Sequence, residues 1–210
     1  MRVGRRSQGE ALLRCLGRDV SMQEERASRL LTGVTYLRIV LVPVVMALVL
    51  VGDRVDDAYA AAAVLFTIAA ATDLVDGFLA RRWGQTTTLG NFLDTTADKL
   101  LVSGVLLALV SVGRASPWVA FVIIGRELLI LGLRGAVAAE GPAMAPSPWG
   151  KLKATAQFVA IFLALLRPSE RLGPLYLDEY AMLAAAVLTV VSAAEYLVRF
   201  SGVLRGKSRS

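Results

Sequence analysis

Apolar residues dominate six long stretches of this chain, and polar residues gather in the short segments between them. Each stretch comes close to the ~20 residues that a helix needs to cross a bilayer. Because the connections are short, neighbouring helices are expected to pack antiparallel within one domain. The pattern predicts an all-α, polytopic membrane protein with six transmembrane helices, at about 32–52, 57–82, 91–112, 117–139, 149–167 and 177–200.

Composition agrees with this pattern. Of the 210 residues, 56% are hydrophobic and the mean hydropathy is +0.60, which is too apolar for an ordinary soluble domain. The formal charge of +6 would suit nucleic-acid binding, but the apolar stretches favour the positive-inside explanation, so no nucleic-acid partner is expected. We predict a basic cytoplasmic N-terminal tail over 1–30, either surface-amphipathic or disordered. A transmembrane domain over 31–200 and a basic C-terminal tail over 201–210 follow.

The distribution of lysine and arginine predicts the orientation in the membrane. With the N-terminus inside, the outer side keeps only Arg54, Arg114, Arg167 and Arg171. The cytoplasmic side carries the arginines of the tail together with Arg81, Arg82, Lys151, Lys153, Arg205, Lys207 and Arg209. We therefore expect a multi-pass protein of the cell (inner) membrane. The end of its second helix and the start of its third would lie near the cytoplasmic face.

Two residue types are scarce enough to exclude classes of chemistry. Cys15 is the single cysteine, so no internal disulfide is possible. Histidine is absent from the sequence. Histidine nucleophiles, general bases and metal ligands are therefore excluded, and acid–base work falls to carboxylates.

The stretch from 73 to 98 carries four aspartates in two pairs, Asp73 with Asp76 and Asp94 with Asp98, between long apolar runs. Carboxylates are expensive to place at membrane depth, so they are functional-site candidates by default. Residues three and four apart share a helix face, so each pair lines one stripe of its helix. The polar link between the pairs can reverse the chain, which would bring all four carboxylates to one point.

Four converging carboxylates would repel one another, and a hard divalent cation relieves that repulsion through all-oxygen ligation. Oxygen ligands favour Mg²⁺ or Mn²⁺. Small residues on the same stripes, Gly77, Ala80 and Gly90, would let a bulky ligand approach the backbone. Carboxylates, metal and space together indicate diphosphate chemistry. The alternative is a pair of amphipathic helices with solvated acidic ends.

The spacing of these residues is Asp73-x2-Asp76-Gly77-x2-Ala80-Arg81-x8-Gly90-x3-Asp94-x3-Asp98. In every position it resembles the signature of the CDP-alcohol phosphatidyltransferase family, and the resemblance covers roughly residues 30 to 200. It implies a homodimeric membrane enzyme that takes CDP-diacylglycerol as donor. It further implies two ions, Mg²⁺ or Mn²⁺, held by Asp73, Asp76, Asp94 and Asp98, with Asp98 also acting as general base.

A second set of charges lies in the fourth apolar stretch, as Arg126, Glu127 and Arg134. Glu127 and Arg134 are seven residues apart and share a helix face. An ion pair between them, or a bridge to another helix, is therefore one explanation. The other explanation is that the arginines bind an anionic group, because guanidinium matches phosphate bidentately.

Two lysines follow at the start of the fifth stretch, Lys151 and Lys153. On an ideal helix they are ~200° apart. Both can face one pocket only if Gly150 and Pro148 hold Lys151 outside the regular helix. We therefore expect Lys151 to contribute to the site more than Lys153, whose alternative role is an interfacial anchor.

Within the family, the arginine–glutamate and lysine segments resemble the branch whose acceptor is glycerol 3-phosphate. Its first helix carries Thr-x2-Arg before a proline, as here, although the usual Asn-Pro ahead of the threonine is missing. The resemblance implies phosphatidyl transfer from CDP-diacylglycerol to glycerol 3-phosphate, giving phosphatidylglycerol phosphate and CMP. Donor binding would fall to Thr35, Gly77, Ala80, Arg81, Thr87 and Gly90. Binding of the acceptor phosphate would fall to Arg38, Arg126, Arg134, Lys151 and Lys153.

Two alternatives remain open at this stage. The same aspartate site could serve another acceptor, either inositol phosphate or phosphatidylglycerol in a cardiolipin-forming reaction. From a different class, a six-helix carrier or channel could also hold intramembrane aspartates. Carriers, however, more often show broken helices or paired halves, and neither is visible in this sequence.

Overall fold

The computed structural model describes residues 33–83, 88–140, 148–168 and 171–207. Within these ranges, its description of side chains leaves out residues 73–83, 88–94, 138–140, 148, 171–172, 200 and 202–207. Six helices account for nearly all of the described chain. They are α1 (Gly33–Leu50), α2 (Ala58–Trp83), α3 (Thr88–Ser111), α4 (Pro117–Glu140), α5 (Pro148–Leu166) and α6 (Leu177–Lys207). The all-α prediction is confirmed, and the helices match the predicted stretches closely.

Helix ends follow simple backbone chemistry. Helices α4 and α5 both begin at a proline, whose missing N–H costs nothing at the first helical position. Helix α6 begins after a hairpin of two-residue strands, β1 (Arg171–Leu172) and β2 (Leu175–Tyr176). Gly173 makes its turn with a φ of 80°. This hairpin was not predicted, because strands of two residues carry no periodicity.

Helix α5 lies at the centre of the bundle, packed against α2, α3 and α6, and α4 packs against α3 and α6. Helix α1 approaches α3 closely at Gly104, where an added Cβ would lie 2.8 Å from Val42 Cγ1. Large aliphatic side chains such as Leu101, Leu109 and Leu165 are fully buried between the helices. The core therefore runs along the bundle axis and leaves the outer helix faces free.

Those outer faces are strongly apolar. Trp118 is 79% exposed, Phe121 70% and Val198 71%, and exposure of so much apolar surface marks an interaction surface, here one suited to lipid. Three helical segments are long and apolar enough to cross a membrane: Gly33–Leu50, Trp149–Leu166 and Leu177–Arg199. The chain is therefore a helical membrane protein.

The prediction of six membrane spans is confirmed only in part. Six helices are present in the described chain, but three of them qualify as spans on length and apolarity. In α2 the side chains are described as far as Thr72, and within that part Ala58–Thr72 forms a shorter apolar segment. In α4 the charges of Arg126, Glu127 and Arg134 interrupt the apolar run.

A polar cluster joins three connections at the end of the bundle predicted to face outward. The Tyr59 hydroxyl donates to Asp53 Oδ1 at 2.8 Å, and the Arg114 guanidinium lies 3.4 Å from the centre of the Tyr59 ring. Arg114 Nη1 also donates to the carbonyl of Leu165 at 2.8 Å. The last carbonyls of a helix lack partners within it, so Arg114 caps the C-terminal end of α5. This structural role explains the arginine at that position.

Candidate active site

The aspartate motif lies where α2 ends and α3 begins. Asp73, Asp76, Gly77, Ala80 and Arg81 belong to the helical backbone of α2, so the predicted stripe spacing is present there. Gly90, Asp94 and Asp98 likewise belong to α3, and the two helices pack together. Thr87 lies outside the described residues, as do the side chains of the motif before residue 95. The convergence of the four carboxylates therefore stays a prediction.

Asp98 is the motif carboxylate that the structure describes, and it is paired. Lys99 Nζ lies 3.1 Å from Asp98 Oδ2 and 2.8 Å from Glu127 Oε2. The side chains of Asp98 and Lys99 are 24% and 25% exposed, whereas that of Glu127 is 3% exposed. One ammonium group is thus shared between the predicted general base on α3 and a buried carboxylate on α4.

Glu127 is the centre of this arrangement. Besides Lys99, its carboxylate contacts Lys153 Nζ of α5 and Arg126 Nη1 of α4, the latter at 3.4 Å. We call these five residues, Asp98, Lys99, Arg126, Glu127 and Lys153, the ionic cluster. Among the described side chains it contains three basic groups and two carboxylates, a formal excess of one positive charge. A buried charge is tolerated only when it is paired and hydrogen-bonded. The buried charges of the cluster therefore depend on one another.

Helix α6 completes the surroundings of the cluster. Arg126 Nη2 donates to Ser192 Oγ at 2.8 Å. One turn earlier on α6, Gln157 Nε2 of α5 donates to Thr189 Oγ1 at 2.9 Å. The Thr189 hydroxyl in turn donates to the Ala185 carbonyl at 2.6 Å. A polar seam therefore runs between α4, α5 and α6 inside an otherwise apolar bundle.

The two lysines of α5 are placed opposite to the expectation. Lys153 is buried in the ionic cluster, whereas Lys151 is exposed. Regular helix begins at Pro148, so Lys151 is not held outside the helix, and ~200° of rotation separates the two side chains. The helix face that carries Lys153 is the one turned towards α4 and α6. The alternative role of Lys153, an interfacial anchor, is contradicted by its burial, whereas its predicted contact with the acceptor phosphate stays a prediction.

One of the two structural explanations for Glu127, an ion pair with Arg134 or a bridge to another helix, is confirmed. Glu127 is paired with Lys99, Lys153 and Arg126, so it forms the bridge to other helices that was the second possibility. Arg134 is exposed, two turns beyond Arg126 on α4. Arg126 therefore joins the ionic cluster directly, and Arg134 lies outside its contacts.

Thr35 and Arg38 of α1 are both buried, with Arg38 only 1% exposed. Arg38 Nε donates to the Ala69 carbonyl of α2 at 3.2 Å. Ala69 is four residues before Asp73, about 6 Å along the helix at 1.5 Å per residue. Arg38 is thus fixed roughly one helical turn from the start of the aspartate motif.

Sequence reasoning missed Lys99 and the polar residues of α6. Lys99 did carry a signal, since it is a charge inside an apolar run directly after Asp98. Ser192 and Thr189 carried none, because a lone hydroxyl residue in a membrane helix commonly bonds to its own backbone. As for the metal, no three potential ligands meet among the described side chains, which leave out Asp73, Asp76 and Asp94. The carboxylate Asp98 fits a hard cation by chemistry.

Comparison with known proteins identifies the family of this chain. Residues 31–191 match the family model of the CDP-alcohol phosphatidyltransferases. That match covers most of the chain and includes the whole aspartate motif and the ionic cluster. The chain belongs to the CDP-alcohol phosphatidyltransferase family.

Its curated relatives carry more specific names. The chain is 41% identical over 175 residues to a CDP-diacylglycerol–glycerol-3-phosphate 3-phosphatidyltransferase of Bacillus subtilis, covering 78% of this chain and 90% of that protein. It is 40% identical over 177 residues to a probable phosphatidylglycerophosphate synthase of Mycobacterium tuberculosis, covering 83% and 82%. A CDP-diacylglycerol–glycerol-3-phosphate 3-phosphatidyltransferase of Escherichia coli is 45% identical over 146 residues, covering 65% and 76%.

Proposed function

We propose that this protein transfers a phosphatidyl group from CDP-diacylglycerol to glycerol 3-phosphate, giving phosphatidylglycerol phosphate and CMP. The names of relatives at 40–45% identity support this activity. One structural observation supports a phosphorylated acceptor over phosphatidylglycerol: Asp98 shares the Lys99 ammonium with the buried carboxylate at the centre of a cluster that has a formal excess of one positive charge. A base beside a cationic site suits a hydroxyl acceptor that carries its own phosphate.

In this reaction Asp98 is the general base. Its carboxylate takes the proton from the acceptor hydroxyl as the hydroxyl oxygen forms a bond to the lipid-side phosphorus of CDP-diacylglycerol. The bond from that phosphorus to the CMP oxygen breaks, and CMP leaves with the electron pair. Lys99 holds the carboxylate in place through its 3.1 Å contact, so much of the contribution is orientation.

The acceptor phosphate binds to the cationic side of the cluster. Arg126 and Lys153 supply the donors, and Arg134 of α4 and Arg38 of α1 are further candidates. Charge-assisted hydrogen bonds from guanidinium and ammonium groups to phosphate are stronger than neutral ones. Binding the phosphate there places the free hydroxyl of the same molecule towards Asp98.

Donor binding and metal binding belong to the aspartate motif. Two divalent ions, Mg²⁺ or Mn²⁺, held by Asp73, Asp76, Asp94 and Asp98, would polarise the phosphoryl oxygens and neutralise the CMP leaving group. Room for the cytidine comes from the small residues of the two stripes. The remaining donor contacts come from Thr35, Gly77, Ala80, Arg81, Thr87 and Gly90.

The proposed enzyme is a homodimer with six membrane spans, its N-terminus and active site on the cytoplasmic side of the inner membrane. The lysine and arginine bias between the two sides supports that orientation. Helices α2, α3 and α4 would then cross the membrane with their charged side chains facing the bundle interior, as intramembrane charges usually do. Labelling of single cysteines, introduced at residue 54 or at residue 207 after Cys15 has been replaced by serine, tests the orientation in intact cells. Labelling of position 207 from outside would contradict it.

Acceptor competition tests the activity itself. The protein purified in detergent is supplied with CDP-diacylglycerol and Mg²⁺, and CMP release is followed with glycerol 3-phosphate, inositol 1-phosphate or phosphatidylglycerol. Release with glycerol 3-phosphate alone is the expected result. Release only with another acceptor would retain the family but refute the acceptor, and release with none would reopen the carrier hypothesis.

A further inference from the structure

Helix α6 presents two buried polar residues to the ionic cluster that the proposed reaction has not used. Ser192 is 2% exposed and Tyr196 is 7% exposed. They are four residues apart and therefore lie on one face of α6. The Ser192 hydroxyl accepts a hydrogen bond from Arg126 Nη2 at 2.8 Å, which fixes the orientation of that face towards Arg126.

Two donors in this region are buried without a hydrogen-bond partner among the described residues, Arg126 Nε and the Tyr196 hydroxyl. A long helical side chain leans back over the preceding turn, so the Tyr196 ring extends towards Ser192 and the guanidinium that Ser192 holds. Native proteins pair nearly all buried polar atoms. The two unpaired donors, Nε of that guanidinium and the Tyr196 hydroxyl, therefore indicate a group that accepts from both.

The charge of the surroundings identifies the class of that group. The ionic cluster has one excess positive charge, so an anion is favoured over a neutral acceptor. An anion with several oxygens can accept from N–H and O–H donors at once, and guanidinium suits such tetrahedral oxyanions. A phosphate monoester has both properties.

We propose that Tyr196 and Arg126 Nε bind the phosphate of the acceptor, so that α6 forms one wall of the acceptor site and Tyr196 helps to select phosphorylated acceptors. This inference rests on the proposed function. It deepens that function by assigning to the site a residue of α6 that no motif of the sequence marks.

The test is Tyr196→Phe, which keeps the ring and removes the hydroxyl. Loss of one hydrogen bond to a charged group corresponds to roughly a tenfold loss of affinity or more. We therefore expect the KM for glycerol 3-phosphate to rise at least about tenfold, with the KM for CDP-diacylglycerol and the Tm unchanged. Inorganic phosphate, as a competitive inhibitor against glycerol 3-phosphate, should weaken by a similar factor.

Tyr180→Phe is the matched control, because Tyr180 lies on the same helix but is 39% exposed. It should leave both KM values as in the wild type. Ser192→Ala is the second variant: without its 2.8 Å contact the guanidinium is less well fixed, and the same KM should rise severalfold.

The outcomes separate this inference from the function on which it rests. If the wild type does not use glycerol 3-phosphate, the proposed function fails. If the wild type uses it but Tyr196→Phe and Ser192→Ala keep its KM within about twofold, the function stands and the α6 wall is refuted. A matching rise in the KM for CDP-diacylglycerol would also refute it, because the hydroxyl would then act on the fold as a whole.

Discussion

Replacing Glu127 with glutamine tests whether the ionic cluster is held together by one buried carboxylate. The substitution keeps the shape of the side chain and removes its charge. Three cations contact that carboxylate. Glu127→Gln leaves Asp98 as the one carboxylate of the cluster, and Asp98 contacts Lys99 but neither Arg126 nor Lys153 among the ion pairs of the described residues. The excess positive charge of the cluster rises from one to two.

The expected cost follows from burial. Removing one partner of a buried ion pair typically costs about 3–5 kcal/mol, because the other charge stays buried and uncompensated. The side chain of Lys99 is 25% exposed, so solvent screens its charge and reduces its contribution to this cost, whereas the side chain of Lys153 is 5% exposed. We therefore take the lower end, about 3 kcal/mol, which for a chain of this size lowers the Tm by roughly 6–12 °C.

The assay is thermal unfolding in detergent, read from the soluble folded fraction after heating. Glu195→Gln is the matched control, since Glu195 pairs with Arg199 at 2.8 Å across one turn of α6 and the Arg199 side chain is 47% exposed. Exposed pairs of this kind contribute about 0–1 kcal/mol, so the control should unfold close to the wild type. A Glu127→Gln protein as stable as the Glu195→Gln protein would refute the central role of Glu127.

The double variant Glu127→Gln with Lys153→Met sharpens the test. It removes one cation together with the anion, so the excess positive charge of the cluster returns to one. Replacing a whole buried pair by uncharged groups is often neutral or stabilising. The double variant should therefore be more stable than Glu127→Gln alone, and simple addition of the two single losses would show that the residues are not coupled.

Four further predictions follow from the same structure. Asp98→Asn should abolish CMP release while CDP-diacylglycerol still binds, and more than a few per cent of wild-type activity would rule Asp98 out as base. Lys153→Met should raise the KM for glycerol 3-phosphate and cost about 3 kcal/mol of stability, whereas Lys151→Met, at an exposed position, should change stability by less than about 0.5 kcal/mol. Gly104→Ala should cost about 1–3 kcal/mol through overpacking, since its Cβ would lie 2.8 Å from an α1 side chain. Gly132→Ala, with nothing within 4 Å, should be neutral or stabilising. Chelation of divalent ions should stop CMP release, and added Mg²⁺ or Mn²⁺ should restore it.

The lengths of the apolar stretches alone predicted where the helices lie, because the length of a membrane-spanning helix is set by the thickness of the bilayer. The fourth apolar stretch was expected at 117–139, and α4 runs from Pro117 to Glu140. The prediction was less complete at the C-terminal end, where α6 continues to Lys207, beyond the expected end at residue 200. Once a helix extends beyond the apolar core of the membrane, it continues through polar residues. Hydropathy then no longer shows where the helix ends.

Side-chain direction was harder to predict than helix position. Lys151 and Lys153 differ by two residues, and which of them faces the bundle depends on where regular helix begins. The sequence signal allowed a non-helical start at Gly150, but the helix begins at Pro148. Pairing across helices was unpredictable for a similar reason: the partners of Glu127 come from α3 and α5, and their rotation about the helix axes is decided by packing.

The ionic cluster accounts for two features of this protein together. Buried charges in a membrane helix are costly, and pairing Glu127 with cations from α3, α4 and α5 offsets that cost. The pairing is unequal, however, and the excess positive charge lies beside Asp98. A phosphate monoester, with close to two negative charges, gains more from that excess than the singly charged phosphodiester of phosphatidylglycerol. The same residues that stabilise the bundle therefore favour a small phosphorylated acceptor over a lipid acceptor, which is the preference that the proposed function requires.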